Sequence, residues 1–201
     1  MAGRAKKNDK KSTTGRLRIV AGKWRSRLLE IAAVPGLRPT SERVRETLFN
    51  WLTPHIAGAR CLDLFAGTGA LGLEALSRGA AEAVFVERSH TAANALRRNI
   101  AELNATGATV HEVDAIGYLH RSEPSAFDIV FLDPPFGADL TEDLCRLLDA
   151  GSLLAADARV YIERDRSKPE PELPEGWQTL KTKTAGNVRY SLVKAAGSVK
   201  E

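Results

Sequence analysis

A strand, a glycine turn and a helix follow one another within residues 61–79, and this unit limits the possible fold most strongly. Residues 61–65 form an apolar run interrupted by a single acid, as expected of a strand covered on both faces of a parallel sheet. The turn that follows carries Gly67, Gly69 and Gly72 in the spacing G-x-G-x-x-G, and apolar residues then predict a helix. Such a turn lets the backbone approach a nucleoside cofactor. The sequence therefore predicts a Rossmann-like α/β fold.

Two carboxylates beside this turn predict the kind of cofactor. A second strand over Ala83–Val86 ends at Glu87, about 20 residues beyond the first glycine, where a carboxylate can accept both ribose hydroxyls. Asp63 precedes the turn, where it would repel the pyrophosphate of NAD and attract the cationic amino acid end of S-adenosylmethionine. The predicted cofactor is therefore S-adenosylmethionine. The predicted cofactor-binding residues are Asp63, Phe65, Gly67, Thr68, Gly69, Glu87, Arg88, Asp114 and Ala115.

Asp114 enters this set because a third strand is predicted over Thr109–Val113 and would end at this acid. A carboxylate at that edge of the sheet can accept a hydrogen bond from the amino group of adenine. The alternative interpretation is an Asp that caps a helix. The sequence leaves both open.

The tetrapeptide Asp133-Pro134-Pro135-Phe136 follows a fourth predicted strand over residues 129–132. The two prolines remove two backbone donors and end the strand, which leaves the carbonyl of Pro134 free to accept a hydrogen bond. Ligands of open α/β sheets bind beyond the carboxyl ends of the strands. These four residues are therefore the predicted catalytic group, in which two acceptors hold an amine and the aromatic ring stacks on a planar base. Taken alone, a proline-terminated strand with a capping Asp is the alternative.

The remaining periodicity completes the predicted architecture. Helices are predicted over residues 41–52, 91–103 and 140–148, the first with Thr40 or Ser41 as its N-cap. A fifth strand is predicted over 159–163. The last two strands, over residues 178–184 and 188–193, are predicted to pair as a hairpin. The fold class is therefore a Rossmann-like, seven-stranded, mostly parallel sheet with an antiparallel last strand, preceded by an N-terminal β-hairpin arm.

Positive charge is concentrated at the N-terminus. The net charge is +4, yet residues 1–27 alone hold ten Lys or Arg residues against one acid. Residues 1–14 read as a disordered basic tail, whereas residues 15–35 interleave basic with apolar and aromatic residues and predict a hairpin that turns at Gly22. Such a surface suits phosphate contacts and stacking on an unpaired base, and a hairpin with ordinary surface charge is the alternative. The predicted RNA-binding residues are Arg16, Arg18, Lys23, Trp24, Arg25, Arg27, Arg38, Arg43 and Arg45.

Length and composition set the wider limits. A chain of 201 residues with 43% hydrophobic content can bury one core, so residues 36–195 are predicted to form one catalytic domain, with residues 196–201 frayed. No apolar run approaches the length of a membrane span, and a cytoplasmic monomer is expected. Cys61 and Cys145 lie in apolar patterns that predict buried thiols, and no metal site is expected.

With these pieces placed, the chain resembles the class I S-adenosylmethionine-dependent methyltransferases, and within them the RsmD family of 16S rRNA guanine-N2 methyltransferases. The resemblance covers roughly residues 15–194 and depends on five stretches: residues 18–25, 36–40, 43–52, 62–80 and 133–136. It implies methylation of the exocyclic amine of one guanine in 16S rRNA, within the small ribosomal subunit or an assembly intermediate. It also implies that Asp63, Gly67, Gly69, Glu87 and Asp114 bind the cofactor and that residues 133–136 bind the amine.

Other functions stay open on the sequence alone. An adenine-N6 methyltransferase acting on DNA or RNA would hold its amine in the same tetrapeptide. A non-catalytic rRNA-binding assembly factor would keep the basic segment without needing the chemistry. A nicotinamide oxidoreductase is disfavoured by Asp63 and by the terminal hairpin.

Overall fold

The computed structural model describes residues 15–34, 39–122, 126–135 and 140–196. The predicted tail over residues 1–14, the C-terminal residues 197–201, Arg38 and Phe136 therefore lie outside the described residues.

The described residues form a small N-terminal sheet and a large central sheet. The small sheet pairs β1 (Arg16–Arg18) with β2 (Leu28–Glu30) in antiparallel fashion. The seven strands of the large sheet are β3 (Arg60–Asp63), β4 (Glu82–Val86), β5 (Ala108–His111), β6 (Phe127–Leu132), β7 (Leu154–Asp165), β8 (Gln178–Ala185) and β9 (Val188–Lys194). The helices are α1 (Glu42–Leu52), α2 (Ala70–Ser77), α3 (His90–Glu102), α4 (Ala115–Arg121) and α5 (Thr141–Ala150). A short 3-10 helix, Thr53–His55, follows α1.

The large sheet has the order β5-β4-β3-β6-β7-β9-β8. Strands β3 to β7 are parallel, β9 runs antiparallel to β7, and β8 pairs with β9 as a hairpin. The predicted fold class is confirmed, including the antiparallel last strand. The terminal hairpin turns at Gly186, whose φ of 58° is the left-handed conformation that glycine adopts readily.

Alternation along the central strands divides the core between the two faces of the sheet. Ile129 and Phe131 pack in a cluster with the N-terminal hairpin of β1 and β2 and with helices α1 to α3. Val130 and Leu132 pack in a second cluster with α4 and α5. Successive side chains of a strand point to opposite faces, so an apolar residue at every position means that helices cover both faces. The predicted buried thiols are confirmed, since both cysteines are buried and free.

Main-chain groups attach the N-terminal hairpin to the end of α2. The amides of Val20 and Ala21 donate to the two carboxylate oxygens of Glu74 at 2.8 and 2.9 Å, and the amide of Lys23 donates to the carbonyl of Ser77 at 2.8 Å. At Gly22, whose φ is 83°, a Cβ atom would come within 1.8 Å of that same carbonyl oxygen. The turn is longer than predicted because residues 20–24 bind α2.

Glu74 is fully buried and binds two arginines as well as the hairpin. Its Oε2 lies 3.2 Å from Nη1 of Arg45, and its Oε1 lies 2.8 Å from Nε of Arg78. Arg45, only 1% exposed, also donates to the carbonyls of Thr40 at 3.1 Å and Arg18 at 2.8 Å. One buried carboxylate therefore joins the hairpin, α1 and α2.

Candidate active site

The site lies where the chain changes direction across the sheet. From β3 the chain continues outward through β4 and β5, and it then returns to place β6 on the other side of β3. A crevice opens at such a switch point beyond the carboxyl ends of the strands. Asp63 ends β3 and Asp133 follows β6 directly, so the fold brings both predicted acids to this crevice.

The buried carboxylate of Asp63 binds the backbone at the start of helix α2. The residue is 2% exposed, and its Oδ2 accepts a hydrogen bond from the amide of Gly72 at 3.2 Å, near the start of α2. The N-cap of α2 is Gly69, which has no side chain, so Asp63 satisfies an amide that a capping residue would otherwise bind. Burial raises the pKa of Asp63 to about 7, although hydrogen bonds from the backbone of Gly72 and Phe65 oppose the shift.

The glycines of the turn are required by conformation and by packing. Gly67 and Gly69 have φ values of 51° and 78°, in the left-handed region. At Gly72 a Cβ atom would lie 2.2 Å from the ring of Phe85, so only glycine allows α2 to pack this closely on β4. The glycines therefore allow the left-handed backbone of the turn and the close packing of α2 on the sheet.

Glu87 is held beside the turn by two backbone amides. Its Oε2 accepts from Gly67 at 2.8 Å and its Oε1 accepts from Ser89 at 2.7 Å. A carboxylate has about four lone-pair positions, so each oxygen can still accept one hydroxyl. The geometry fits a ribose diol at the end of β4.

Asp114 lies at a helix start, not at the end of a strand as predicted. Strand β5 ends at His111, and Asp114 is the N-cap of α4, with its Oδ1 accepting from the amide of Gly117 at 2.8 Å. This contact is the helix cap that the alternative interpretation gave, and the carboxylate of Asp114 is exposed three residues beyond the end of β5. Of the other predicted cofactor residues, Thr68 and Ala115 are buried, Phe65 is partly buried and Arg88 is exposed.

Asp133 lies among other polar groups on the α1 face of the sheet. The hydroxyl of Thr40 donates to its Oδ2 at 3.3 Å. Burial, followed by the neighbouring carboxylates of Glu163 and Asp63, raises the pKa of Asp133 well above its usual value. Strongly shifted acids of this kind concentrate at functional sites. Of the adjoining prolines, Pro134 is buried and Pro135 is exposed.

Three residues near Asp133 were not predicted from the sequence. They are Thr40, Tyr161 and Glu163, and the hydroxyl of Tyr161 donates to Oε2 of Glu163 at 2.6 Å. The sequence offers one signal for Glu163. This acid ends the predicted strand 159–163, much as Asp133 follows the predicted strand 129–132. Within the described ranges, no group of three or more His, Cys, Asp or Glu residues is arranged to hold a metal ion.

Most of the predicted RNA-binding residues are exposed, with one correction. The guanidinium of Arg45 is buried and committed to Glu74 and to two carbonyls, so it is not available to bind a phosphate. The exposed members of the predicted set are Arg16, Arg18, Lys23, Arg25, Arg27 and Arg43. Trp24 is partly buried, and the Nζ of Lys23 lies 4.2 Å from the centroid of its ring.

Comparisons with known proteins agree with this geometry. A family model described as "Conserved hypothetical protein 95" matches residues 17–194. Ribosomal RNA small subunit methyltransferase D of Escherichia coli strain K12 is 45% identical over 186 residues, which cover 92% of this chain and 93% of that protein. The Haemophilus influenzae protein of the same name is 44% identical over 190 residues, covering 93% and 98%.

The solved structure of yhhF from Escherichia coli superposes with a TM-score of 0.84 at 42% identity, covering 92% of this chain and all of that one. The glycine turn, the acids at the strand ends and the antiparallel last strand define an S-adenosylmethionine-dependent methyltransferase of class I. Within that class, the chain belongs to the RsmD family.

Proposed function

We propose that this protein transfers a methyl group from S-adenosylmethionine to the N2 amine of one guanine in 16S rRNA. The observation that carries the proposal is the position of Asp133, in an Asp-Pro-Pro-Phe sequence, at the switch point beside the glycine turn. The family membership and the name of the relatives, which specifies the RNA of the small ribosomal subunit, support the substrate. The proposed setting is the bacterial cytoplasm, with a monomer acting on the small subunit or on an assembly intermediate.

The chain's own groups position the amine. The lone pair of a guanine amine is delocalised into the ring, which makes the nitrogen a poor nucleophile. Hydrogen bonds from its two hydrogens to the Asp133 carboxylate and to the Pro134 carbonyl favour a pyramidal nitrogen with a localised lone pair. The bound cofactor supplies an electrophilic methyl group. Positioning is then the main contribution of the protein, and Asp133 or water takes the proton that the nitrogen loses.

The cofactor site is proposed from the groups around the glycine turn. Gly67 and Gly69 give backbone access, Glu87 is oriented to accept the ribose hydroxyls, and Asp63 provides a carboxylate near the turn. Asp114 and Ala115 are proposed to border the adenine. Phe136, which lies outside the described residues, is proposed to stack on the target base.

The proposal is tested by mapping methylation. Small subunits and their RNA from cells that lack the protein should gain one N2-methylguanine when incubated with the purified protein and S-adenosylmethionine, as read by mass spectrometry of nuclease fragments. Duplex DNA serves as the comparison substrate. Methylation of adenine, or binding of the subunit without any transfer, would overturn the proposal.

The raised pKa of Asp63 predicts that cofactor binding depends on pH. Because folding raises this pKa from 3.8 to about 7, the stability that Asp63 contributes is present below pH 3.8 and is lost as the pH rises through about 7. A bound cation favours the ionised carboxylate. We therefore expect the affinity for S-adenosylmethionine to increase about tenfold between pH 6 and pH 8, with proton release on binding.

Isothermal titration calorimetry in buffers of different ionisation enthalpy measures both quantities. The Asp63→Asn variant, which cannot titrate at this position, reports the contribution of the ligand's own amino group. An affinity that changes with pH equally in both proteins would exclude this role for Asp63.

The exposed basic residues of the hairpin are proposed to bind RNA phosphates. We expect replacement of Arg16, Arg18, Lys23 and Arg25 by Gln to weaken subunit binding. The negative slope of log affinity against log salt concentration should become less steep by about 2–4. The fold should survive because main-chain atoms of residues 20–24 make the contacts with α2.

A matched control removes four exposed positive charges elsewhere, at Arg121, Arg146, Arg166 and Lys168. Filter binding over a range of salt concentrations compares the two variants. Equal slopes for the two would show that net charge, and not the hairpin, determines binding.

A further inference from the structure

Glu163 lies beside Asp133 on the neighbouring strand. Strands β6 and β7 are parallel, and Leu132, the last residue of β6, lies opposite Ile162. Continuing this register by one residue puts Asp133, which directly follows β6, at the level of Glu163 in β7. Side chains alternate between the two faces of a sheet, and Phe131 and Tyr161 both pack on the α1 face. Asp133 and Glu163 therefore project to that same face, which is also where Thr40 contacts Asp133.

Within the part of the chain that the structure describes, one oxygen of the Glu163 carboxylate accepts a hydrogen bond. The residue is 7% exposed, and Tyr161 donates to its Oε2 at 2.6 Å. Among the described residues no donor binds Oε1. This leaves a fixed acceptor next to the residue that is proposed to hold the amine. Two neighbouring carboxylates repel each other, so a ligand that offers hydrogen-bond donors to both relieves the repulsion.

Guanine offers such donors side by side on its Watson–Crick edge, because N1 and the N2 amine are both bonded to C2. Its N1 carries a hydrogen and its N2 carries two, whereas adenine places a lone pair on N1 next to its N6 amine. We propose that Glu163 accepts the N1 hydrogen of the target guanine while Asp133 holds the N2 amine, and that Glu163 thereby selects guanine over adenine. This inference rests on the proposed function. The carboxylate of Glu163 would face the lone pair of adenine N1 with no hydrogen between them.

The test uses 2-aminopurine, which keeps the N2 amine of guanine but has an unprotonated N1. Small subunits are reconstituted with 16S rRNA that carries guanine or 2-aminopurine at the mapped nucleotide, and kcat/KM is measured for each. We expect the full-length wild-type chain to prefer guanine by about 10²–10³-fold, because a site built for a donor rejects an analogue that lacks it. Equal methylation of the two bases by the wild-type protein would overturn the inference without any variant.

The Glu163→Gln variant tests the residue itself. Its side-chain oxygen can still accept from Tyr161, while its amide can donate to the N1 lone pair of 2-aminopurine. We expect the preference for guanine to fall below about tenfold, with cofactor affinity retained. The matched control is Glu170→Gln, an exposed residue, which should keep the wild-type ratio. A ratio in Glu163→Gln equal to that of the wild type would overturn the role of Glu163.

The ratio of kcat/KM for guanine to kcat/KM for 2-aminopurine distinguishes a role in specificity from a merely structural role. A loss of stability would lower the rates with both bases together and leave their ratio unchanged. The experiment also separates the two proposals. If the wild-type protein methylates no guanine, the proposed function fails; if it methylates guanine but does not distinguish 2-aminopurine, only the role of Glu163 fails.

Discussion

We expect the Asp133→Ala variant to lower kcat/KM for methylation of the small subunit by about 10²–10³-fold, while cofactor affinity changes little. The reason is that Asp133 is proposed to contact the amine and not the cofactor. Thr40 donates to Oδ2 of this carboxylate and helps to fix its orientation. Incorporation of labelled methyl groups measures the rate, and calorimetry measures cofactor binding.

The effect of the same substitution on stability should depend on pH. Burial, Glu163 and Asp63 raise the pKa of Asp133, so the stability it contributes is present at acidic pH and is lost as the pH rises through the raised pKa. Removing the carboxylate removes this pH-dependent loss, so the melting temperature of the variant, relative to that of the wild type, should increase from pH 5 to pH 8 and exceed the wild-type value at pH 8. A gain in stability together with a loss of activity is expected of a group retained for function.

Two further variants complete this comparison. Asp133→Asn keeps one acceptor oxygen without the charge and should lose less activity than Asp133→Ala. Asp143→Ala removes an exposed carboxylate in the first turn of α5 and should behave as the wild type. Near-normal transfer by Asp133→Ala would exclude the proposed role of Asp133 in holding the amine.

Local patterns in the sequence were sufficient to predict the sheet and the acids at its edge. The apolar run that ends at Asp133 and the glycine turn after Asp63 each carry their signal within a few residues, because strand burial and turn geometry are local properties. The order of the strands then placed both acids at one crevice. These predictions need only the residues of each local segment. They do not require knowledge of the residues that the segment contacts elsewhere in the chain.

Contacts between distant residues could not be predicted in this way. Arg45 resembles the exposed arginines around it, and its burial depends on Glu74, which lies 29 residues away in another helix. Glu163 adjoins Asp133 only because the register of β6 and β7 sets them side by side. Helix α4 has seven residues, too few for a periodic pattern to predict it, and the predicted strand over Thr109–Val113 ends two residues beyond β5.

The buried carboxylate of Glu74 should dominate the stability of the N-terminal half. We expect Glu74→Gln to reduce the free energy of unfolding by about 3–5 kcal/mol, because it leaves the guanidinium of Arg45 buried beside a neutral partner. Burial already lowers the pKa of Arg45, and Glu74 is the main opposing influence. Gln also has one acceptor oxygen for the two hairpin amides that Glu74 binds. Urea unfolding measures the loss.

The matched control is Glu42→Gln, since Glu42 pairs with Arg18 at 3.6 Å on the surface and an exposed pair contributes about 0–1 kcal/mol. The double variant Glu74→Gln with Arg45→Met should recover part of the loss, because it removes the unpaired charge as well. Hydrogen exchange should show the amides of residues 20–24 opening in Glu74→Gln and not in Glu42→Gln. Unchanged protection of these amides would mean that Ser77 and the packing of the hairpin hold it without Glu74. In that case the proposed RNA-binding surface would be positioned independently of the buried pair.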